Sequence, residues 1–239
     1  GNDPLKAYGK TTDLTAMGGA QYVHTFDKCF FMPSDLTAGL EYNRDRLKDN
    51  MWGYNRHTDQ TVNIYSAFLQ NEWKNDRWGI LIGGRLDKHN MVDNVIFSPR
   101  ANLRFNPTQN INLRLSYSSG FRAPQAFDED MHIENVGGTV AMIERAKDLK
   151  EEKSQSFSVS ADMYHRFGAF QTNLLIEGFY TRLTDVFVLG KPYDRGDGIL
   201  VKTRSNGPGA KVMGLTLEGK VAYLSILQIQ AGLTLQRSR

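Results

Sequence analysis

The chain has 239 residues, with 29 Lys+Arg against 26 Asp+Glu and a formal net charge of +3. Hydrophobic residues make up 40%, too many for disorder, and the single cysteine, Cys29, excludes a disulfide scaffold and a cysteine zinc cluster. No apolar run approaches the roughly 18 residues of a transmembrane helix, and the balanced charge offers no broad basic face for nucleic acid. A water-soluble globular chain and a membrane β-barrel both remain.

The dominant signal is alternation with period two, which puts successive side chains on opposite faces of a strand. In chain order it predicts about ten strands near 12–26, 36–43, 61–73, 78–88, 96–105, 110–119, 156–163, 170–186, 213–223 and 227–236. The clearest is 110–119, where Ile111, Leu113, Leu115 and Tyr117 oppose Asn112, Arg114, Ser116 and Ser118. Phe157, Val159, Ala161 and Met163 likewise oppose Ser156, Ser158, Ser160 and Asp162. No long stretch keeps the helical period. A short turn near 125–131, after Pro124, is the best helical candidate.

Short polar turns at 74–77, 106–110 and 166–169 alternate with longer stretches at about 47–60, 89–95, 122–153 and 188–209. In an antiparallel meander, successive turns fall at opposite ends. One end is therefore trimmed and the other carries long loops, as in outer-membrane barrels. The strands also look longer than the usual 5–6 residues or so of globular proteins. Trp73, Trp78 and Phe105 stand beside the short turns. They read either as an interfacial girdle or as packing under hairpins. Alternation alone leaves a soluble sandwich open, in which Leu113, Leu115, Ile229 and Leu233 would be buried under a second sheet.

Several motifs follow in order. Leu69-Gln70-Asn71-Glu72-Trp73 and Gly84-Arg85-Leu86-Asp87 precede Phe97-Ser98-Pro99-Arg100 and Asn106-Pro107-Thr108. A strand then ends in Gly120-Phe121-Arg122-Ala123-Pro124. Downstream come Asp148-Leu149-Lys150-Glu151-Glu152-Lys153-Ser154, Phe179-Tyr180-Thr181 with Thr184-Asp185, and Asn206-Gly207 leading to Gly214-Leu215-Thr216-Leu217-Glu218. This series resembles the barrel of TonB-dependent outer-membrane receptors over about 60–239. Lys147 and Glu151 depart from the family's usual prolines.

The resemblance implies an all-β fold: an antiparallel meander of about ten long strands, part of a roughly 22-stranded transmembrane barrel in a bacterial outer membrane. The expectation is a partial barrel over 1–239, with the plug domain, the TonB box and the last barrel strands not present. It further implies binding and TonB-coupled import of an iron–siderophore, haem or cobalamin. The implied partners are outer-membrane lipid, TonB through the plug, a small metal chelate and a surface lipoprotein, with no nucleic acid.

The loop 122–153 is the first ligand candidate, through Arg122, Asp128, Glu129, Asp130, Met131 and His132. Haem receptors of the family place a histidine between the two boxes that flank this loop, and imidazole is a common haem ligand, with Met131 alongside. The alternative is a solvated loop histidine. Asp128 and Asp130 offer the hard oxygens that calcium takes, without an EF-hand spacing, and a solvated acidic loop is the alternative. Tyr54, Arg56 and His57 fall on a second predicted outer loop, and Tyr193, Asp194 and Arg195 on a third. Arg85, Arg100, Arg104 and Arg114 are expected on the lumen face or the rim. No intrinsic cofactor is expected, and the five histidines show no metal-ligand spacing. A Walker-type loop and a Gly-x-Ser-x-Gly elbow are both lacking, so no enzyme activity is expected.

Overall fold

The computed structural model describes residues 9–52, 56–125, 134–136, 139–196, 200–224 and 226–239, with backbone alone at 134–136 and 139–141. Ten strands form one antiparallel sheet. They are β1 (Gly9–Cys29), β2 (Met32–Met51), β3 (Arg56–Lys74), β4 (Trp78–His89), β5 (Ile96–Thr108), β6 (Ile111–Arg122), β9 (Glu152–Phe167), β10 (Phe170–Thr184), β14 (Ala210–Tyr223) and β15 (Leu227–Ser238). Neighbours in space are neighbours in this series, so the sheet is an up-and-down meander. Each of the ten alternating segments in the sequence became one of these strands. No described residue is α-helical, and the described part of 125–131 is Gln125 alone.

The connections alternate as expected. One end carries tight turns at Phe30–Phe31, 75–77, 109–110 and 168–169, and at 224–226, where residue 225 lies outside the described residues. Phe30 adopts a φ of 63°, the left-handed turn that joins Cys29 to Met32. The other end carries the long connections, and within them is a second, five-stranded sheet. It comprises β7 (Glu134–Val136) and β8 (Thr139–Arg145) from one loop, and β11 (Phe187–Leu189), β12 (Tyr193–Asp194) and β13 (Leu200–Asn206) from another. Strands β8 and β13 run parallel, Leu200 facing Ala141 and Arg204 facing Arg145, which ties the two loops together.

One expectation changes here. The stretch 47–60, read as a loop, is mostly strand: Leu47 pairs with Gln60 and Met51 with Arg56, so β2 and β3 run 20 and 19 residues. Arg56 and His57 therefore sit on β3.

Register places the apolar residues in lateral rows. Leu103, Leu115, Val159, Gly178, Leu215 and Leu235 form one row across six strands. The apolar side chains on this face are exposed, among them Leu115 at 52%, Ile229 at 60% and Leu233 at 56%. Among the described residues no second sheet covers them, in contrast to the sandwich alternative. Aromatic pairs border this face. Trp78 stacks on Phe105 at 4.3 Å and Phe31 on Trp73 at 5.7 Å near the tight turns, and the Trp73 indole donates to Cys29 O at 2.9 Å. Toward the loop end, Tyr42 meets Tyr65 at 4.9 Å and Tyr117 meets Phe157 at 4.7 Å.

The opposite face is polar and internally paired. Arg85 bonds Glu41 at 2.6 Å and Asp87 at 2.9 Å, and the Ser66 hydroxyl donates to Asp87 at 2.5 Å. Arg104 caps the turn carbonyls of Asn75 and Trp78, and Arg114 donates to Asn112 at 2.7 Å. At Gly39 the Phe68 ring occupies the space a Cβ would need, and the Arg85 guanidinium sits 6.0 Å above that ring.

Candidate ligand site at the loop end

The segment 120–124 anchors the base of the longest loop. Phe121 packs against Val92, Ile96 and Ala123, a small core between the β4–β5 connection and the end of β6. The Arg122 guanidinium lies 5.7 Å over the Phe187 ring of the other long loop. Pro124 is buried, and its carbonyl accepts from Arg145 at 3.0 Å. Arg145 also donates to Gln60 at 3.1 Å, which holds the end of β8 against the wall strand β3.

The second box is fixed by one side chain. The Asn206 amide accepts from Lys150 N at 2.7 Å and donates to Lys150 O at 3.0 Å and Asp185 O at 2.7 Å. The Asn206-Gly207 and 148–150 motifs, far apart in sequence, thus form one joint where both long loops re-enter the sheet. Ala146 N adds a bond to Arg204 O at 2.9 Å.

His89 is fully buried at the last residue of β4, one position past the charged Lys88. Its Nδ1 accepts from Met91 N at 3.0 Å, which leaves Nε2–H to donate to Gln125 Oε1 at 3.3 Å. The ring is therefore the neutral Nε2–H tautomer. Burial pushes its pKa below the ordinary histidine value, outweighing the Gln125 bond and the Asp87 charge.

Above these anchors opens a cleft of about 910 Å³, lined among others by Arg56, His57, Asn90, Arg145, Lys147 and Arg195. Glu144 shares the lining, and Arg195 approaches it at 3.7 Å. Among the described residues, cations therefore dominate the walls. The volume lies within the roughly 300–1,000 Å³ of small-molecule sites.

Of the residues expected at the site, Arg56, His57 and Arg195 line this cleft. Arg122 and Tyr193 do not: Arg122 braces the loops, and Tyr193 is an exposed residue of β12 paired with Val201. Tyr54, Asp128, Glu129, Asp130, Met131 and His132 lie outside the described residues. Gly120, Phe121, Ala123 and Pro124 are at the loop base, where the last three are packing groups. Arg145, Lys147 and His89 were not among the site residues expected from the sequence, where Lys147 was noted only as a departure from the family's usual proline. Their one signal is position, since Arg145 and Lys147 sit immediately before the second box. Among the described residues no group of three or more His, Cys, Asp or Glu side chains could hold a metal ion.

The family described as TonB dependent receptor-like, beta-barrel, matches residues 2–239. A curated relative, the probable hemoglobin and hemoglobin-haptoglobin-binding protein 3 of Haemophilus influenzae, is 23% identical over 206 residues, which are 84% of this chain and 18% of that protein. The siderophore receptor PirA of Pseudomonas aeruginosa superposes with a TM-score of 0.82 at 16% identity, over 97% of this chain and 44% of that one. The ferric enterobactin receptor PfeA, also of Pseudomonas aeruginosa, gives 0.73 at 20% identity, over 98% and 37%. The chain thus spans under half of each of these proteins, and the superpositions speak to fold. The motif series, the ten-stranded meander and the family match together make this chain a member of the TonB-dependent receptors, of whose β-barrel it is a fragment.

Proposed function

We propose that the barrel to which this chain belongs stands in the outer membrane, binds an anionic iron chelate at the loop-end cleft and imports it with energy coupled through TonB. The observation that carries the ligand class is the cleft lining, where, among the described residues, Arg56, Arg145, Lys147 and Arg195 outnumber the carboxylate of Glu144. Such a wall steers and holds negative charge. A ferric siderophore with ionised donor groups or a haem with its propionates fits this chemistry better than a neutral ligand. The barrel provides the wall and the loops, and no covalent step is needed.

The test is equilibrium binding of a ferric catecholate and of haem to the full-length receptor, with Lys147→Gln and Arg56→Gln beside the wild type. The expected result is a weakening of about three- to tenfold per lost cation, larger at low salt. Unchanged affinity at all salt concentrations would remove the cleft from the account. A second reading, haem ligation by His132, draws on the name of the Haemophilus relative. Spectral titration with His132→Ala decides it, and an unchanged Soret band would discard that residue.

A further inference from the structure

The ladder between β5 and β6 stops short of the loop end. It runs from Thr108 with Ile111 up to Arg100 with Ser118, and the next facing positions, Pro99 with Ser119 and Ser98 with Gly120, are unpaired. β5 stays bonded to β4 as far as Ile96, and β6 to β9 as far as Arg122. The two strands therefore part from each other while each keeps its other neighbour. The parting begins at Pro99, which has no N–H to donate to a ladder. A Cβ at Gly120 would meet Ser154 Oγ at 3.3 Å and, among the described residues, nothing from β5 within 4 Å. Ser119 Oγ is shielded from solvent with no hydrogen-bond partner, the sign of a missing neighbour. The gap is a window, bounded below by the Arg100 and Ser118 pair and above by Phe121 on Val92 and Ile96. On the apolar face it opens into a space of about 340 Å³ walled by Phe97, Pro99, Tyr117 and Lys153, whose charge Glu151 meets at 3.0 Å. On the polar face lies a space of about 370 Å³ with Glu41, Asn43, Arg85 and Asp87 in its lining. Ser98, Ser119 and Gly120 line both spaces, so the two meet at the window.

We infer that this window takes the fatty acyl tail of an amphiphilic anionic iron chelate whose charged head occupies the loop-end cleft. Head and tail make opposite demands. The cleft offers cations, and the window is a route from the polar face to the exposed apolar surface around Phe97. The two lie within reach of one ligand. Pro124 of the cleft lining stands four residues beyond Gly120, so at most about 14 Å of chain separates them. The carbonyl that joins tail to head accepts from the Ser119 hydroxyl, which otherwise has no partner. A chelate without a tail uses the cleft alone. The inference rests on the cleft being the chelate site.

The test uses the full-length receptor in lipid nanodiscs and two forms of one ferric catecholate, bare and with a dodecanoyl amide tail. Ser98→Leu and Gly120→Val each fill the window. Both variants are expected to lose at least about tenfold in affinity for the tailed form and less than about twofold for the bare form. Comparing variants at one lipid concentration cancels partitioning of the tail into the bilayer. A second measurement needs no variant. A diazirine at the end of the tail, photolysed on the wild-type receptor, is expected to label Phe97, Pro99 or Tyr117. Equal losses for both forms, no loss for either, or labels confined to the loops beyond the window overturn the proposal. Bare chelate that binds the wild type beside a tail insensitive to the window defeats the window alone. Failure of the wild type to bind either form defeats the cleft reading and this inference together.

Discussion

Tyr42 and Tyr65 face each other across β2 and β3 with ring centroids 4.9 Å apart, and the Tyr42 hydroxyl donates to Asn63 at 2.9 Å. The pair has one apolar flank and one hydrogen-bonding flank, the arrangement that suits a ring at a membrane boundary. Below it on β3 is Trp73, near the tight turns. About eight residues at about 3.3 Å each, tilted by about 40°, span about 20 Å, close to the apolar band of about 25 Å on such barrels.

This geometry predicts a two-residue alternation in environment. Spin labels placed in the full-length receptor at Leu115 and Leu217 should be relaxed by oxygen, which partitions into lipid. Labels at Ser116 and Thr216 should respond to a water-soluble nickel reagent. Equal response at adjacent positions would contradict the assignment of faces.

Gly39 is required by the ring beside it. A Cβ there meets the Phe68 ring, with Cε1 at 2.5 Å. Gly39→Ala should therefore destabilise the receptor by about 1–3 kcal/mol through overpacking. Adding Phe68→Leu should recover most of that loss. Denaturant unfolding in lipid vesicles measures both, and an additive double variant would show that the two sites do not touch.

Arg85 holds a carboxylate that has almost no access to solvent. Asp87 is 3% exposed, and Arg85 and Ser66 both donate to it. Because the Arg85 side chain is itself 38% exposed, screening limits the effect. Arg85→Ala should cost about 1–2 kcal/mol, while Arg85→Ala with Asp87→Asn should recover part of it. The same unfolding experiment checks this, and a neutral Arg85→Ala would contradict the pairing.

His89 gives the loop end a pH dependence. Its folded pKa is lowered by burial, so the unfolded ring takes up a proton first. The stabilising contribution is complete above the ordinary value of about 6.5 and declines as pH falls from there toward the folded pKa. A second proton would enter Nδ1, where the Met91 N–H already points. Hydrogen exchange at 89–96 and 121–125 should accelerate on going from pH 7.5 to 5.5, after correction for intrinsic rates, and His89→Gln should flatten the response. Identical protection at both pH values would contradict it.

The main strands were legible because a sheet with one apolar and one polar face must alternate, as 111–117 does. That logic fails where both faces meet polar surroundings. Residues 47–60 carry Lys48, Asp49, Asn50, Arg56, His57, Thr58 and Asp59, so the period-two signal vanishes although the hydrogen-bond ladder continues. The small sheet was hidden for a related reason: its strands are short, and β8 pairs in parallel with a segment about sixty residues away. At the site, Arg56, His57 and Arg195 were found from loop position. Arg145 and Lys147 were not, because their place in the cleft depends on the Arg145 bonds to Gln60 and Pro124, which no local spacing encodes. The 120–124 motif was recognised as a marker, and its packing on Val92 and Ile96 explains it as an anchor for the loop.

The most direct test of the central claim is uptake of radioactive iron, supplied as ferric siderophore or haem, by cells that carry the full-length receptor as their sole iron-chelate importer, with and without a working TonB. The account predicts saturable uptake that disappears when TonB is lost and weakens in the Lys147→Gln variant. Uptake that persists unchanged without TonB, or no uptake of any anionic iron chelate by surface-exposed receptor, would contradict it.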